Sequence, residues 1–268
     1  MNQDEKYWRN CFGHTGGDLP LPQFPGTLDE LMDIILNSPS NSESYWRGQS
    51  NMLWVPYPTL FRRMRNGGFS DTQINESVIQ MEERAILAKA VEANILENNT
   101  DDGEIIELMA KLQHYGGPTR LLDVTSNPEI ALFFASNGNV DRMGVIYQYR
   151  INQETTVDLN KQDYLWDGVL SSCEAGRPIL VKPKPYDRRI EVQQGAFVLS
   201  RLSGSLADPN LYTNQTYDSE VAQYFISPDL KRQAKERLKA KGIDTIRLFP
   251  SIEKFSSYCA SCPPFFRF

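Results

Sequence analysis

The stretch LQHYGGPTRLLDVTSNPEIALFFA, residues 112–135, limits the fold more than any other part of the chain. The helical pattern GEIIELMAKLQHYG runs into Gly116-Gly117-Pro118, which stops it: glycine is entropically costly in a helix, and proline keeps the residue before it out of the helical region. TRLLDVT then reads as a strand. NPEIALFFAS reads as a short helix, with Asn127 as its cap and Pro128 at the first position, where a missing N–H costs nothing. Helix, tight break, strand and helix in so short a span call for an α+β chain with helices packed on a sheet.

The flanking sequence extends this pattern. TLDELMDIIL predicts a helix capped by Thr27, with Glu30 three residues on, and SYWRGQS a short strand ending at Gly48. ESVIQMEERAILAKAVEANIL predicts a long helix, GVIYQYRI a strand, and SPDLKRQAKERLKAKG a charged helix with a glycine stop. RRIEVQQGAFVLS alternates like a strand, and IDTIRLFP suggests a last one. Residues 152–188 are irregular in pattern, with RPILVKPKPY read as extended along a surface. There is no internal repeat and no interdomain linker, so the 268 residues are expected to build one core.

Composition narrows the classes of function. A formal charge of −6 argues against a nonspecific grip on nucleic acid, and 11 % aromatic residues argue against disorder. The opening MNQDEKYW lacks the apolar core of a secretory signal, and no apolar run is long enough to span a bilayer. The expectation is a cytoplasmic protein without a membrane partner. Cys259 and Cys262 form a lone CxxC, with Cys11 and Cys173 elsewhere and only His14 and His114 as histidines, so no metal is expected. A Cys173–His114 nucleophilic pair has little behind it. P-loop, dinucleotide-fingerprint, HExxH, GxSxG and zinc-deaminase signatures do not occur.

Three segments carry residues able to do chemistry. In the first, Arg47 sits between Trp46 and Gly48. It is a surface charge, a structural ion-pair partner, or an anchor for an anionic ligand; a guanidinium offers phosphate a rigid bidentate fork. Tyr45 or Trp46 beside it would give a ring a flat surface, or simply join the core. In the second, His114, Arg120, Asp123 and Thr125 gather around the glycine turn ahead of a helix start with unpaired N–H groups. The plainer reading pairs Arg120 with Asp123 and lets His114 cap the preceding helix. In the third, strand alternation puts Glu191 and Gln193 on one side with Gly195 leaving room, suiting ribose hydroxyls; the alternative is an edge strand with a polar face. The basic runs FRRMR and DRR read as ordinary surface as readily as binding patches.

Together the segments resemble the FRG domain family, named for its aromatic-Arg-Gly motif. That motif is Trp46-Arg47-Gly48, followed by Gln49, and then by Pro58, Leu60, Phe61 and Arg62. The central signature is residues 112–135. A later element is Arg189, Ile190, Gln193, Gly195 and Phe197, and a closing one is Leu238, Gly242, Ile243, Leu248, Phe249 and Pro250. The resemblance spans residues 25–255, leaving 1–24 as an extended lead-in and 256–268 as a tail.

The order of motifs also resembles the ADP-ribosyltransferase fold. That resemblance implies a single α+β domain with a central split or mixed β-sheet flanked by helices, and NAD as substrate. It assigns catalytic roles to Arg47, Thr125, Gln193 and Glu191, and cofactor contacts to Tyr45, Trp46, Arg47, Gln49, His114, Arg120, Asp123 and Thr125. Asp123 would fix Arg120. Such transferases usually end on a glutamate, whereas the matching position here is Gln193, which brings no charge. The implied function is an NAD-dependent ADP-ribosyltransferase or NAD glycohydrolase, acting as a bacterial toxin or phage-defence effector. Its partners would be a protein or nucleic-acid acceptor and an antidote protein. The alternatives are a noncatalytic nucleotide- or nucleic-acid-sensing module and a metal-independent phosphoesterase or nuclease.

Overall fold

Alternation along the strands sets the layers. In β1 (Glu43–Gln49), Tyr45 and Trp46 are both buried, but on opposite faces: Tyr45 joins one apolar cluster and Trp46 another. In β3 (Gly144–Ile151), Val145, Tyr147, Tyr149 and Ile151 fall on the Tyr45 side and Ile146 on the Trp46 side. A sheet apolar on both faces must be covered on both faces. The computed structural model describes residues 23–37, 43–95, 102–151, 156–161, 166–173, 178–185, 187–202, 204–207 and 219–250. Cys11, Cys259, Cys262 and His14, weighed above as metal ligands, lie outside these residues.

The other strands are β2 (Leu122–Thr125), β4 (Thr156–Asp158), β5 (Ile179–Lys182), β6 (Gly195–Leu199) and β7 (Ser219–Ile226). The seven form one sheet in the order β4-β5-β6-β2-β1-β3-β7. Only β4 and β5 run parallel; the remaining pairs are antiparallel. The fold is thus a single mixed α+β domain. No helix among the described residues is long and apolar enough to cross a membrane.

One face of the sheet is covered continuously. Helices α2 (Thr59–Asn66) and α3 (Glu76–Glu92) supply Leu60, Phe61, Met64 and Ile79 to a core that takes residues from strands across the sheet. The opposite face is covered in two separate parts. Helices α1 (Leu28–Leu36), α5 (Pro128–Ser136) and α8 (Pro228–Ala240) pack on the β1-β3-β7 half. Helices α4 (Asp102–His114) and α6 (Trp166–Ser172) pack on the β4-β5-β6 half. The divide between those parts falls at β1 and β2, which share a single register pair, Trp46 with Thr125.

Local chemistry accounts for the helix starts. Thr27 accepts from the Glu30 N–H, Asn127 from the Glu129 N–H, and Ser227 from the Leu230 N–H. Gly48 lets α5 approach β1: a Cβ there would lie 1.8 Å from the Ala131 carbonyl oxygen and 2.6 Å from the Ala135 nitrogen. The glycine of the aromatic-Arg-Gly motif is therefore a packing requirement.

Three segments depart from the sequence reading. RRIEVQQGAFVLS is not one strand: Arg188–Val192 form helix α7, capped by Asp187, whose carboxylate accepts from the Arg189 N–H at 2.6 Å. Gln194 then turns with φ of 46° and the strand begins at Gly195. IDTIRLFP holds a short helix, α9 (Thr245–Leu248), because Asp244 caps it through the Arg247 N–H. RPILVKPKPY does not lie along a surface; its Ile179, Leu180 and Val181 are buried in β5, between β4 and β6. In the first two cases an aspartate cap overrode an apparent period of two.

Candidate functional site

Beyond the Trp46–Thr125 pair, β1 and β2 part, and the Arg47 side chain spans the gap. Its Nη1 donates to the Asp123 carbonyl oxygen at 2.8 Å, serving a backbone acceptor where the ladder has ended. Nε lies 3.4 Å from the Gln49 side-chain oxygen, and the Gln49 amide donates to the Trp54 carbonyl at 2.9 Å. The guanidinium is thus held from two sides, yet 19 % of the side chain stays open to solvent.

That opening leads into a cleft of about 550 Å³ at the sheet divide. Arg47, Arg62 of α2 and Arg189 of α7 bring three guanidiniums to its lining, against one carboxylate, Asp123. Partial burial and then the neighbouring Arg47 lower Arg62 from its usual value, so the two cations feel one another. Arg189 lies over the Phe249 ring at 4.9 Å and donates to the His114 carbonyl at 3.3 Å. Trp46, Phe134, Phe197 and Tyr115 provide aromatic surface. In a chain of net charge −6, this concentration of positive charge in a concave, ring-lined space suits an anionic ligand with a planar group.

The second segment folds differently from either sequence reading. Arg120 is fully buried and does not line the cleft. It donates to Glu83 through Nε at 2.6 Å and Nη2 at 2.5 Å, and to Glu76 through Nη1 at 2.8 Å. Burial opposes its charge, but the bonds to Glu83 and the pull of Glu76 outweigh that and keep it protonated. Burial in turn raises Glu83, whereas Arg120 outweighs the burial of Glu76 and lowers it. Arg120 is a structural pin between α3 and the start of β2. Its assignment to a phosphate, and the pairing of Asp123 with it, are both corrected: Arg120, two residues before β2, is turned into the core against α3 and not toward the cleft.

Asp123 instead takes a hydrogen bond from the Gln113 amide at 2.6 Å, with Arg47 Nη1 3.9 Å from the same oxygen. His114 is buried at the end of α4, its Nε2 3.2 Å from Asp187. It thereby fixes the cap of α7, the helix that presents Arg189. Gly116, with φ of 81°, makes the turn between α4 and β2.

Thr125 and Gln193 meet at the cleft floor. The Thr125 hydroxyl donates to the Gln193 carbonyl at 2.7 Å and accepts from the Asn127 N–H at 3.1 Å. The Gln193 amide donates to the Leu248 carbonyl at 2.7 Å. Both residues line the cleft, but Glu191 is exposed on α7 and does not. Replacing a strand by a helical turn put Glu191 and Gln193 on different sides. The α5 start is closed by Asn127 itself and is not in the lining either, so it offers no open N–H groups to the cleft.

Tyr45 and Gln49 are buried outside the lining; Tyr45 packs in the continuous core and Gln49 holds Arg47. Trp46 is both core and cleft wall. Cys173 is fully buried and does not line the cleft, and that burial pushes its thiol up to about 11. Among the described residues no group of three or more histidines, cysteines or carboxylates gathers as a metal site.

The sequence reading missed Arg62 and Arg189 as site residues. Each had a signal, since Arg62 closes the element Pro58, Leu60, Phe61 and Arg62 and Arg189 opens the later element of the family resemblance. What was lacking was the knowledge that α2 and α7 turn those arginines toward one space. No curated protein and no solved structure matches the chain. The family model that does match is the FRG domain, and it covers residues 42–142, from β1 through the arginine-bearing gap, α2 to α5, to the turn before β3.

Proposed function

We propose that the cleft binds NAD and that the protein transfers or hydrolyses its ADP-ribose portion. The observation that carries this reading is the convergence of Arg47, Arg62 and Arg189 on one aromatic-lined cleft at the divide of the sheet. A dinucleotide brings two phosphates and two ring systems, which match three guanidiniums and the Trp46 and Phe134 surfaces. The resemblance of the motif order to ADP-ribosyltransferases supports the choice of NAD over other dinucleotides.

In this reading Arg47 clamps the pyrophosphate, with Arg62 and Arg189 adding charge. Thr125 has spent its one donor on a backbone carbonyl and keeps one oxygen lone pair beside the Asn127 N–H, and Gln193 has spent one of its two donors on Leu248, so in this reading each accepts from a ribose hydroxyl through its side-chain oxygen. Fixing the ribose in this way holds C1′ open to attack from one side. The acceptor, a protein, a nucleic acid or water, decides between transfer and hydrolysis.

A nucleotide-sensing module is the second reading, and one observation favours it: the late position is an amide, and Glu191 lies off the cleft. Both readings meet in one assay. Purified protein is incubated with NAD, with and without cell extract, and nicotinamide release is followed. Release that disappears in folded Arg47→Ala supports transfer or hydrolysis. Tight NAD binding with no release in either arm supports sensing, and neither binding nor release contradicts both.

A further inference from the structure

Asp123 brings the one carboxylate among the described residues that line the cleft, and its setting is built. Gln113 is buried, its side-chain oxygen accepts from the buried Thr119 hydroxyl at 2.7 Å, and its amide nitrogen donates to Asp123 Oδ2 at 2.6 Å. The Thr119 bond fixes which end of the amide faces the carboxylate. The Asp123 side chain is nonetheless 56 % exposed, with Oδ2 taken by Gln113. A carboxylate in a cleft that otherwise favours anions opposes phosphate binding. Its placement there makes sense for a reaction that develops positive charge.

From this we infer that Asp123 is the catalytic carboxylate of the cleft, filling the role that Gln193 cannot fill by charge and Glu191 cannot fill by position. The inference rests on the NAD reading above. In the step, the C1′–N bond of the nicotinamide riboside breaks and its electron pair passes to the ring nitrogen, so that neutral nicotinamide leaves. The Asp123 carboxylate stabilises the cationic ribose as that bond lengthens. The acceptor oxygen or nitrogen then bonds to C1′, and its proton passes to Asp123 and on to water. Gln113 is a positioning residue that keeps the carboxylate oriented.

The test uses the full chain with NAD as probe and compares wild type, Asp123→Asn and Asp123→Glu for nicotinamide release, NAD affinity and thermal midpoint. Asparagine preserves the shape and the Gln113 contact while removing the charge. Asp123→Asn is expected to slow release by about 100-fold or more, while binding NAD as tightly as wild type or more tightly and keeping its midpoint. Asp123→Glu, which keeps the charge, is expected to release nicotinamide faster than Asp123→Asn. Wild-type release by Asp123→Asn would overturn this role and leave the NAD reading standing. A loss of release explained entirely by lost NAD affinity would reduce Asp123 to a binding contact and overturn it too. A wild-type chain that neither binds NAD nor releases nicotinamide would remove the NAD reading, and this inference with it.

Discussion

Arg47 Nη1 lies 2.8 Å from the backbone oxygen of Asp123, so a side chain, rather than a backbone amide, joins β1 to β2 past their single register pair. The same guanidinium is partly open to the cleft. One residue therefore both closes the sheet and faces the cleft.

Substituting lysine separates those duties. Lysine keeps the charge but not the fork that reaches Asp123 and Gln49 together. Arg47→Lys is expected to weaken NAD binding by roughly 10- to 100-fold, from the loss of one charged hydrogen bond. Its thermal unfolding should show a cost of about 1 kcal/mol. Titration calorimetry and a melting curve on the same sample check both numbers.

Arg120 predicts the opposite profile. Arg120→Met leaves Glu83 buried and unpaired, and should cost roughly 3–5 kcal/mol in urea unfolding. Replacing Glu83 by methionine as well should recover much of that loss, because the pair's cost of burial is removed on both sides. Recovery without any gain in ligand affinity would mark the pair as structural.

Gly48→Ala tests the close approach of α5 to β1. A methyl 1.8 Å from the Ala131 oxygen meets backbone, which cannot rotate away. The expected penalty is about 3 kcal/mol or more, seen as a lower unfolding midpoint or an insoluble chain. A variant as stable as wild type would contradict the packing described.

Asp187 gives a pH dependence with a definite sign. Its carboxyl sits below the ordinary range, chiefly because the Arg189 N–H donates to it, with His114 adding to the effect. A folded value below the unfolded one means the stabilisation is complete above the ordinary value of 3.8 and is lost as pH falls through the lower folded value. Asp187→Ala should cost about 1 kcal/mol at neutral pH through the lost cap. The gap between the two proteins should then narrow steadily below pH 3.8.

Much of this architecture could be read from the sequence where the signals were local. The caps at Thr27 and Asn127, the break at Gly116-Gly117-Pro118 and the strand around Arg47 all stand in the structure, because short-range sterics and hydrogen bonds settle them. Arg188–Val192 was misread since Arg-Arg-Ile-Glu-Val alternates like a strand, while the Asp187 cap one residue earlier carried the deciding information. The partner of Arg120 could not be read at all: Glu83 lies 37 residues away, and only the packing of α3 brings it near. The cleft was half legible for the same reason. Arg47, Thr125 and Gln193 stood out by type and setting, but Arg62 and Arg189 are one arginine each in ordinary basic runs until the fold aims them.

The proposed function requires Arg47 to hold a dinucleotide at the divide between β1 and β2. A structure determined with NAD or ADP-ribose tests it most directly. Phosphate oxygens are expected within hydrogen-bond distance of the Arg47 guanidinium, with a ring against Trp46 or Phe134. A ligand seated elsewhere, or a cleft still empty at saturating ligand with Arg47 closed onto Asp123, would contradict it.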